Sequence, residues 1–176
     1  MTEDKQRQPA LVGILMGSDS DFSVISEACK TLDKFGIPYE MEVVSAHRTP
    51  ARAHEYATTA LGRGLKVLIA AAGAAAHLAG VIAANTTLPV IGVPMASSSL
   101  NGLDALLATV QMPGGVPVAT MAIDKAGAVN AAIFAAEILA VSDAEMARKL
   151  VEHKESLARS VTEKNERLKQ QLSTKK

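Results

Sequence analysis

Aromatic residues make up only 3% of this chain, and tryptophan is absent. Surfaces that bind single-stranded nucleic acid rely on stacking rings, so that class is disfavoured, and the core must be built from Ala, Val, Ile, Leu and Met. An excess of charge of either sign is also missing. Eighteen basic and 18 acidic side chains cancel, so neither nucleic acid nor a membrane surface is expected as a partner. An anionic ligand then has to be held by local groups. Cysteine occurs once, at Cys29. An intrachain disulfide is ruled out, a reducing compartment fits, and Cys29 reads as a small core or interface residue. No run free of polar and turn residues reaches membrane-spanning length. Residues 1–9 are polar and charged, with no signal-peptide core. The expectation is a soluble, cytoplasmic protein.

Several catalytic signatures are missing as well. There is no G-x-G-x-x-G and no G-x-x-x-x-G-K-[ST], hence no dinucleotide fingerprint and no P-loop. No H-x-x-x-H or H-E-x-x-H pair supports a metal centre, and no G-x-S-x-G elbow supports a hydrolase triad. No metal is expected.

What is present is alternation. Apolar runs predict strands over residues 10–16, 39–44, 67–71, 89–93 and 116–120. Helical spacing predicts helices over 21–35, 50–61, 76–84, 103–110, 126–140 and from 144 to about 172. Gly36 ends the first helix, Thr49-Pro50 reads as an N-cap with proline at the first helical position, and Ser142-Asp143-Ala144-Glu145 reads as a capping box. Strand–helix alternation implies a parallel sheet covered by helices on both faces. The expected organisation is a flexible stretch over 1–9, a single α/β domain over 10–172, and a frayed tail over 173–176, with fraying from about Glu163 onward. The helices at 78–84 and 126–140 are apolar nearly all round, which suggests a second subunit covering what the sheet does not, the alternative being cover from the C-terminal helix of the same chain.

Three strand ends carry the chemistry. In an open parallel sheet, ligands bind beyond the carboxyl ends of the strands, where strand order reverses. Gly17-Ser18-Asp19-Ser20-Asp21 follows the first strand. Its amides and the Ser18 and Ser20 hydroxyls suit a phosphate, and Asp21 suits a ribose diol; Asp19 or Ser20 equally suits a plain helix cap. Ser45-Ala46-His47-Arg48-Thr49-Pro50 follows the second. Arg48 can grip a phosphate with paired donors, and His47 beside it is a candidate general acid–base. Gly73-Ala74-Ala75-Ala76-His77-Leu78 follows the third. Small side chains there let a ligand approach the backbone, and its amides suit a carboxylate or a leaving CO2; His77 reads as either a ligand contact or a helix-cap partner. His54 and His153 read as structural residues on exposed helix faces.

With these loops placed, the chain resembles the class I phosphoribosylaminoimidazole carboxylase catalytic subunits, the N5-carboxyaminoimidazole ribonucleotide mutases. The matching segments are Met16-Gly17-Ser18-x-Ser20-Asp21, Ser45 to Pro50, Gly73 to Leu78, Pro89-Val90-Ile91-Gly92-Val93-Pro94, Leu106-Leu107, Val110-Gln111-Met112-Pro113, and Ala122-Ile123 through Gly127-Ala128. Together they span about residues 11 to 139. The resemblance implies a three-layer α/β/α sandwich with a five-stranded parallel flavodoxin-like sheet plus a C-terminal helix. It also implies a homo-octamer with sites at subunit boundaries and a role in purine biosynthesis. The implied reaction moves a carboxyl group from N5 to C4 of a ribonucleotide without ATP, metal or organic cofactor. On the same footing His47 is the acid–base; Ser18, Ser20 and Arg48 bind phosphate; Asp21 binds the ribose; Ser45 orients the substrate; and Gly73, Ala74, His77 and Leu78 line the carboxylate side. One departure stands out: His77-Leu78-Ala79-Gly80 has alanine where the family often has proline. The alternatives are direct carboxylation of aminoimidazole ribonucleotide by free CO2, and a non-catalytic nucleotide-binding or receiver-like module. Ala71-Ala72-Gly73 lacks the aspartate that a phosphoacceptor receiver needs.

Overall fold

The apolar runs pair into one parallel sheet in the computed structural model, which describes residues 9–173. The expectations for residues 1–8 and 174–176 lie outside the described residues. Strands β1 (Val12–Met16), β2 (Tyr39–Val43), β3 (Val67–Gly73), β4 (Val90–Met95) and β5 (Ala119–Thr120) lie in the order β2-β1-β3-β4-β5. Five parallel strands with flanking helices in this order make an α/β, flavodoxin-like fold. The order reverses at β1, which sits between β2 and β3 and brings their carboxyl ends together.

The three inner strands are apolar because both of their faces are covered. Val12 to Met16 are all buried, as are Val67 to Ala71 and Val90 to Met95. On one face Leu15, Leu68 and Ala70 pack with Ala53, Tyr56, Ala57 and Ala60 of α2 (Pro50–Ala60), and with Leu78, Ala79 and Ile82 of α3 (Leu78–Ala83). Gly13 belongs to this face; a Cβ there would lie 2.5 Å from the Tyr56 hydroxyl. On the other face, a Cβ on Gly127 of α5 (Asp124–Ala140) would meet Val93 of β4 at 3.3 Å. The two remaining helices of this part are α1 (Phe22–Phe35) and α4 (Leu103–Val110).

Edge strand β2 differs from the inner three. Glu40 and Glu42 alternate along it and are neutralised from α2 and the turn that follows. Arg63 reaches Glu40 at 2.7 Å, Arg52 reaches Glu42 at 2.5 Å, and the Tyr56 hydroxyl donates to Glu40 at 2.7 Å. The Arg63 guanidinium also lies 4.3 Å from the centre of the Tyr56 ring.

Several boundaries differ from the sequence expectation, each for a local reason. The third and fourth strands run two residues further, because Ala72 pairs with Pro94 and Gly73 with Met95. The fifth strand shrinks to two residues; Pro117 has no N–H to add to an edge. The third helix starts at Leu78 rather than Ala76. Ser18, not Asp19 or Ser20, is the cap at the first loop, and it makes a capping box with Asp21 over a single 3₁₀ turn. Thr49 sits at the head of α2, but its hydroxyl is spent on Ser45 rather than on the helix.

The chain divides into two compact units, one ending at Ile138 and one starting at Leu139. The second unit is dominated by α6 (Ala144–Ser173), about 45 Å of helix. Its cap is Asp143 rather than Ser142: the Asp143 carboxylate accepts the Met146 N–H at 3.0 Å. The charged segment expected to fray is helical through Ser173, with a Lys169–Glu166 pair within it and an Arg159–Glu155 pair just before it. No helix among the described residues is long and apolar enough to cross a membrane.

Candidate active site

A cleft of about 330 Å³ opens beyond the carboxyl ends of β1 to β4, within the range of small-ligand sites. Its lining draws on all three loops singled out in the sequence. Gly17, Ser18, Ser20 and Asp21 come from β1, Ser45 to Arg48 from β2, and Gly73, Ala75 and Leu78 from β3 and its loop. Ala72 and Ser97 complete it. Ala74 and His77 are not among the lining residues.

The first loop is held by its own polar groups. The Ser18 amide donates to the Asp21 carboxylate at 3.2 Å, and the Ser18 oxygen accepts the Ser20 amide at 3.3 Å. The Ser20 hydroxyl donates to the Ser18 hydroxyl at 2.9 Å, and the Ser18 hydroxyl donates to the Asp19 carboxylate at 3.2 Å, so both would rotate away from these partners to donate to a ligand. Asp21 is only 6% exposed. Burial pushes its carboxyl above the ordinary value, the charges of Asp124 and Asp19 add to that, and the Ser18 N–H opposes it.

The second loop is a closed ring. Thr49 Oγ1 accepts the Ser45 amide at 3.0 Å and donates to the Ser45 carbonyl at 3.0 Å. Proline at the first helical position fixes the exit into α2. On this platform Arg48 donates from its backbone to the Ser45 hydroxyl at 3.1 Å and from its guanidinium to the Gly17 carbonyl at 3.1 Å. Arg48 therefore bridges the first two loops, and much of its fork faces solvent and is available for an anion.

The third loop behaves differently from expectation. Gly73 is the last residue of β3 rather than part of the loop. Ala74 takes a left-handed backbone, with φ of 52°. The Ala76 and His77 amides are already bonded to the Ala74 and Ala75 carbonyls, each at 2.8 Å. Those two amides are thus not free for a carboxylate. His77 instead meets His47: Nδ1 of His77 lies 2.9 Å from Nε2 of His47, with the rings edge-on at 76°. At this distance one of the two nitrogens donates and the other accepts, the roles being set by the tautomers of the two rings. Ala79 is 2% exposed and packs in the core.

Two features had no individual mark in the sequence. One is the histidine pair, which joins residues 30 apart in sequence. The other is Ser97, from a serine-rich loop after β4. A Cβ on Gly73 would sit 1.7 Å from the Ser97 hydroxyl, so glycine at 73 is what lets Ser97 form that wall. The rule that ligands gather at strand ends covers β4 as well, and that signal points to Ser97. Of the other histidines, His54 bonds Asn85 at 2.8 Å. Cys29 is buried, and burial raises its thiol above the ordinary value. Among the described residues no group of three His, Cys, Asp or Glu is arranged to hold a metal ion.

Strand order and cleft together define an α/β protein of the flavodoxin-like class with one composite site at its switch point. The AIRC family profile, AIR carboxylase, matches residues 11–160, and the chain belongs to this family. It is 59% identical over 158 residues to a Bacillus subtilis protein named N5-carboxyaminoimidazole ribonucleotide mutase, covering 90% of this chain and 98% of the relative. A Thermotoga maritima protein of the same name is 58% identical, covering 90% and 92%. Among solved structures, the crystal structure of Treponema denticola PurE superposes with a TM-score of 0.80 at 31% identity, over 90% of this chain and 98% of that one.

Proposed function

We propose that this protein is an N5-carboxyaminoimidazole ribonucleotide mutase of purine biosynthesis. It would convert its substrate into 4-carboxy-5-aminoimidazole ribonucleotide. The observation that carries this reading is the near end-to-end identity of 59% with a relative of that name, joined to a cleft lined by an arginine, two serines and His47, whose ring is backed by His77 from outside the lining.

The roles follow from the chemistry of each side chain. The phosphate goes to the Arg48 fork and the Ser18 and Ser20 hydroxyls. Asp21 accepts the ribose hydroxyls, Ser45 orients the substrate, and the migrating carboxylate lies towards Gly73, Ala74, His77 and Leu78. His47 is the acid–base. Its Nε2 is engaged by His77, which leaves Nδ1 as the ring nitrogen that exchanges the proton. Protonated His47 delivers a proton to N5 as the N5–carboxyl bond breaks and CO2 leaves. The electron-rich C4 then attacks the retained CO2, and His47 takes the C4 proton to restore aromaticity. The histidine ends as it began, and no net proton is consumed. His77 accepts from the His47 Nε2–H throughout, and so stabilises the ring when Nδ1 is protonated.

Retaining CO2 requires a covered site. The cleft is open in the single chain, with His47 and Arg48 exposed. A homo-oligomer, here an octamer, would close it. Leu100, Leu103, Leu107 and Val110 support assembly: all four are about half exposed, and the last three form a stripe along α4. Action in the cytoplasm accords with the metabolite substrate and the single cysteine.

The test is an assay of purified protein without ATP. One cuvette holds N5-carboxyaminoimidazole ribonucleotide, the other aminoimidazole ribonucleotide with bicarbonate. Rapid product in the first alone is expected. Rapid product from the second at modest bicarbonate would assign direct carboxylation instead, and silence in both would overturn the enzymatic reading.

A further inference from the structure

Asp124 opens α5 with a φ of 58°. A left-handed backbone is costly for most residues carrying a Cβ. Aspartate tolerates it better than most, because a short polar side chain can find a nearby donor. At functional ends of a fold such residues merit a physical account. Here the donor is distant in sequence: Asp124 Oδ1 accepts the backbone N–H of Ala96 at 2.8 Å.

That amide has no strand to bond. Ala96 follows the last residue of β4, and the short β5 pairs only with Ile91 and Gly92, four and more residues earlier. The Asp124 carboxylate takes the place of the missing strand. The same corner is packed by Gly102, whose φ is 85°; a Cβ there would lie 3.2 Å from Ala96 Cα and 2.7 Å from Ile123. The loop over 96–102 thus folds back on Ala96, and both its ends rest against the β5–α5 turn. The next residue, Ser97, stands against Gly73 in the cleft wall. Asp124 is also near enough to the first loop for its charge to act on Asp21.

We propose that Asp124 is a positioning residue of this site. Its bond to Ala96 ties the β5–α5 turn to the 96–102 loop and thereby fixes Ser97 against Gly73 as one wall of the cleft. The consequence for turnover rests on the mutase reading above; the latch itself does not. Asp124 touches no reacting atom in this scheme and acts through Ser97.

The experiment compares full-length wild type, Asp124→Gly and Asp124→Asn by amide exchange over residues 94–100 and by steady-state kinetics with N5-carboxyaminoimidazole ribonucleotide. Glycine is at ease with the backbone angle and removes only the acceptor. Its exchange should quicken about fivefold, and kcat/KM should fall by a similar factor, about what one lost hydrogen bond is worth, with little change in melting temperature. Asparagine keeps an oxygen acceptor and tolerates the left-handed backbone, so it should hold both properties within about twofold of wild type. Unchanged exchange in the glycine variant overturns the proposal. So does quickened exchange with unchanged kcat/KM, or an asparagine variant as impaired as glycine. If wild type shows no mutase turnover, the functional reading fails. The latch is then decided by exchange alone: protection lost in glycine and kept in asparagine upholds it, and equal exchange overturns it.

Discussion

Gly73→Ala tests how tightly the cleft wall is built. The added methyl would lie 1.7 Å from Ser97 Oγ, 2.9 Å from Ser97 Cβ and 3.3 Å from the Met95 carbonyl. Rotating the Ser97 hydroxyl relieves the first contact but not the second, because Cβ does not move with χ1. Carbon atoms rest at about 3.5–4.0 Å, so the Ser97 backbone has to retreat by roughly 0.6–1 Å. Displacements of that size at a reacting centre cost up to about 10²-fold in rate, so kcat/KM should fall on the order of 10- to 100-fold. Stability should change less. Overpacking costs roughly 1–3 kcal/mol, and replacing glycine offsets about 0.4–1 kcal/mol through the unfolded chain. The net is a loss of about 1–2 kcal/mol and a drop of several degrees in Tm. Kinetics with N5-carboxyaminoimidazole ribonucleotide and thermal melts read the two effects separately. Adding Ser97→Gly removes both clashing atoms and should restore the melting temperature. Adding Ser97→Ala removes only the hydroxyl and should restore little. Wild-type kcat/KM in Gly73→Ala, or full rescue by Ser97→Ala, would refute the reasoning.

The remaining expectations are narrower. His47→Asn should cut kcat by about 10²-fold or more with fold and assembly intact, and His77→Phe should lower kcat about tenfold with KM nearly unchanged; normal turnover in either would remove that residue from the proton path. Arg48→Ala should raise KM by about 10- to 100-fold, the worth of a charge-assisted contact, and an unchanged KM would count against phosphate binding there. The Asp21 carboxyl is raised in the folded protein, so its stabilising contribution is complete below the unfolded pKa and is lost as pH rises through the folded one. Asp21→Asn, which keeps an acceptor for the Ser18 amide, should therefore melt above wild type at pH 7 and level with it in acid; an equal difference at both pH values would contradict this. Tyr56→Phe should cost roughly 1–2 kcal/mol by denaturant unfolding, because it removes a buried donor to Glu40; a neutral result would show that Arg63 alone satisfies that carboxylate.

These expectations depend on knowledge of two different kinds. Local pattern is enough for the strands and helices. Continuous apolar runs such as Val67 to Ala71 need cover on both faces, and Gly36 ends α1 because it alone among its neighbours adopts a left-handed backbone at no cost, with φ of 73°. Element ends were less legible, because partners set them. Gly73 joins β3 only because Met95 is available to pair with it, and β5 stops short because Pro117 has no N–H to give.

The site divides along the same line. His47, Arg48, Ser18, Ser20 and Asp21 stand out in the sequence as polar groups at strand ends, and strand order brings them into one cleft. Ser97, the His47–His77 contact and the Asp124–Ala96 bond were not individually legible, since each joins residues 24 or more apart whose spacing carries no period. By itself the sequence determined the elements, the reactive groups and the family, because those follow from local periodicity and from residues in order. Only the tertiary structure decided which groups touch. A distance of 2.9 Å between two histidines depends on the placement of every element between them, and no local pattern encodes it.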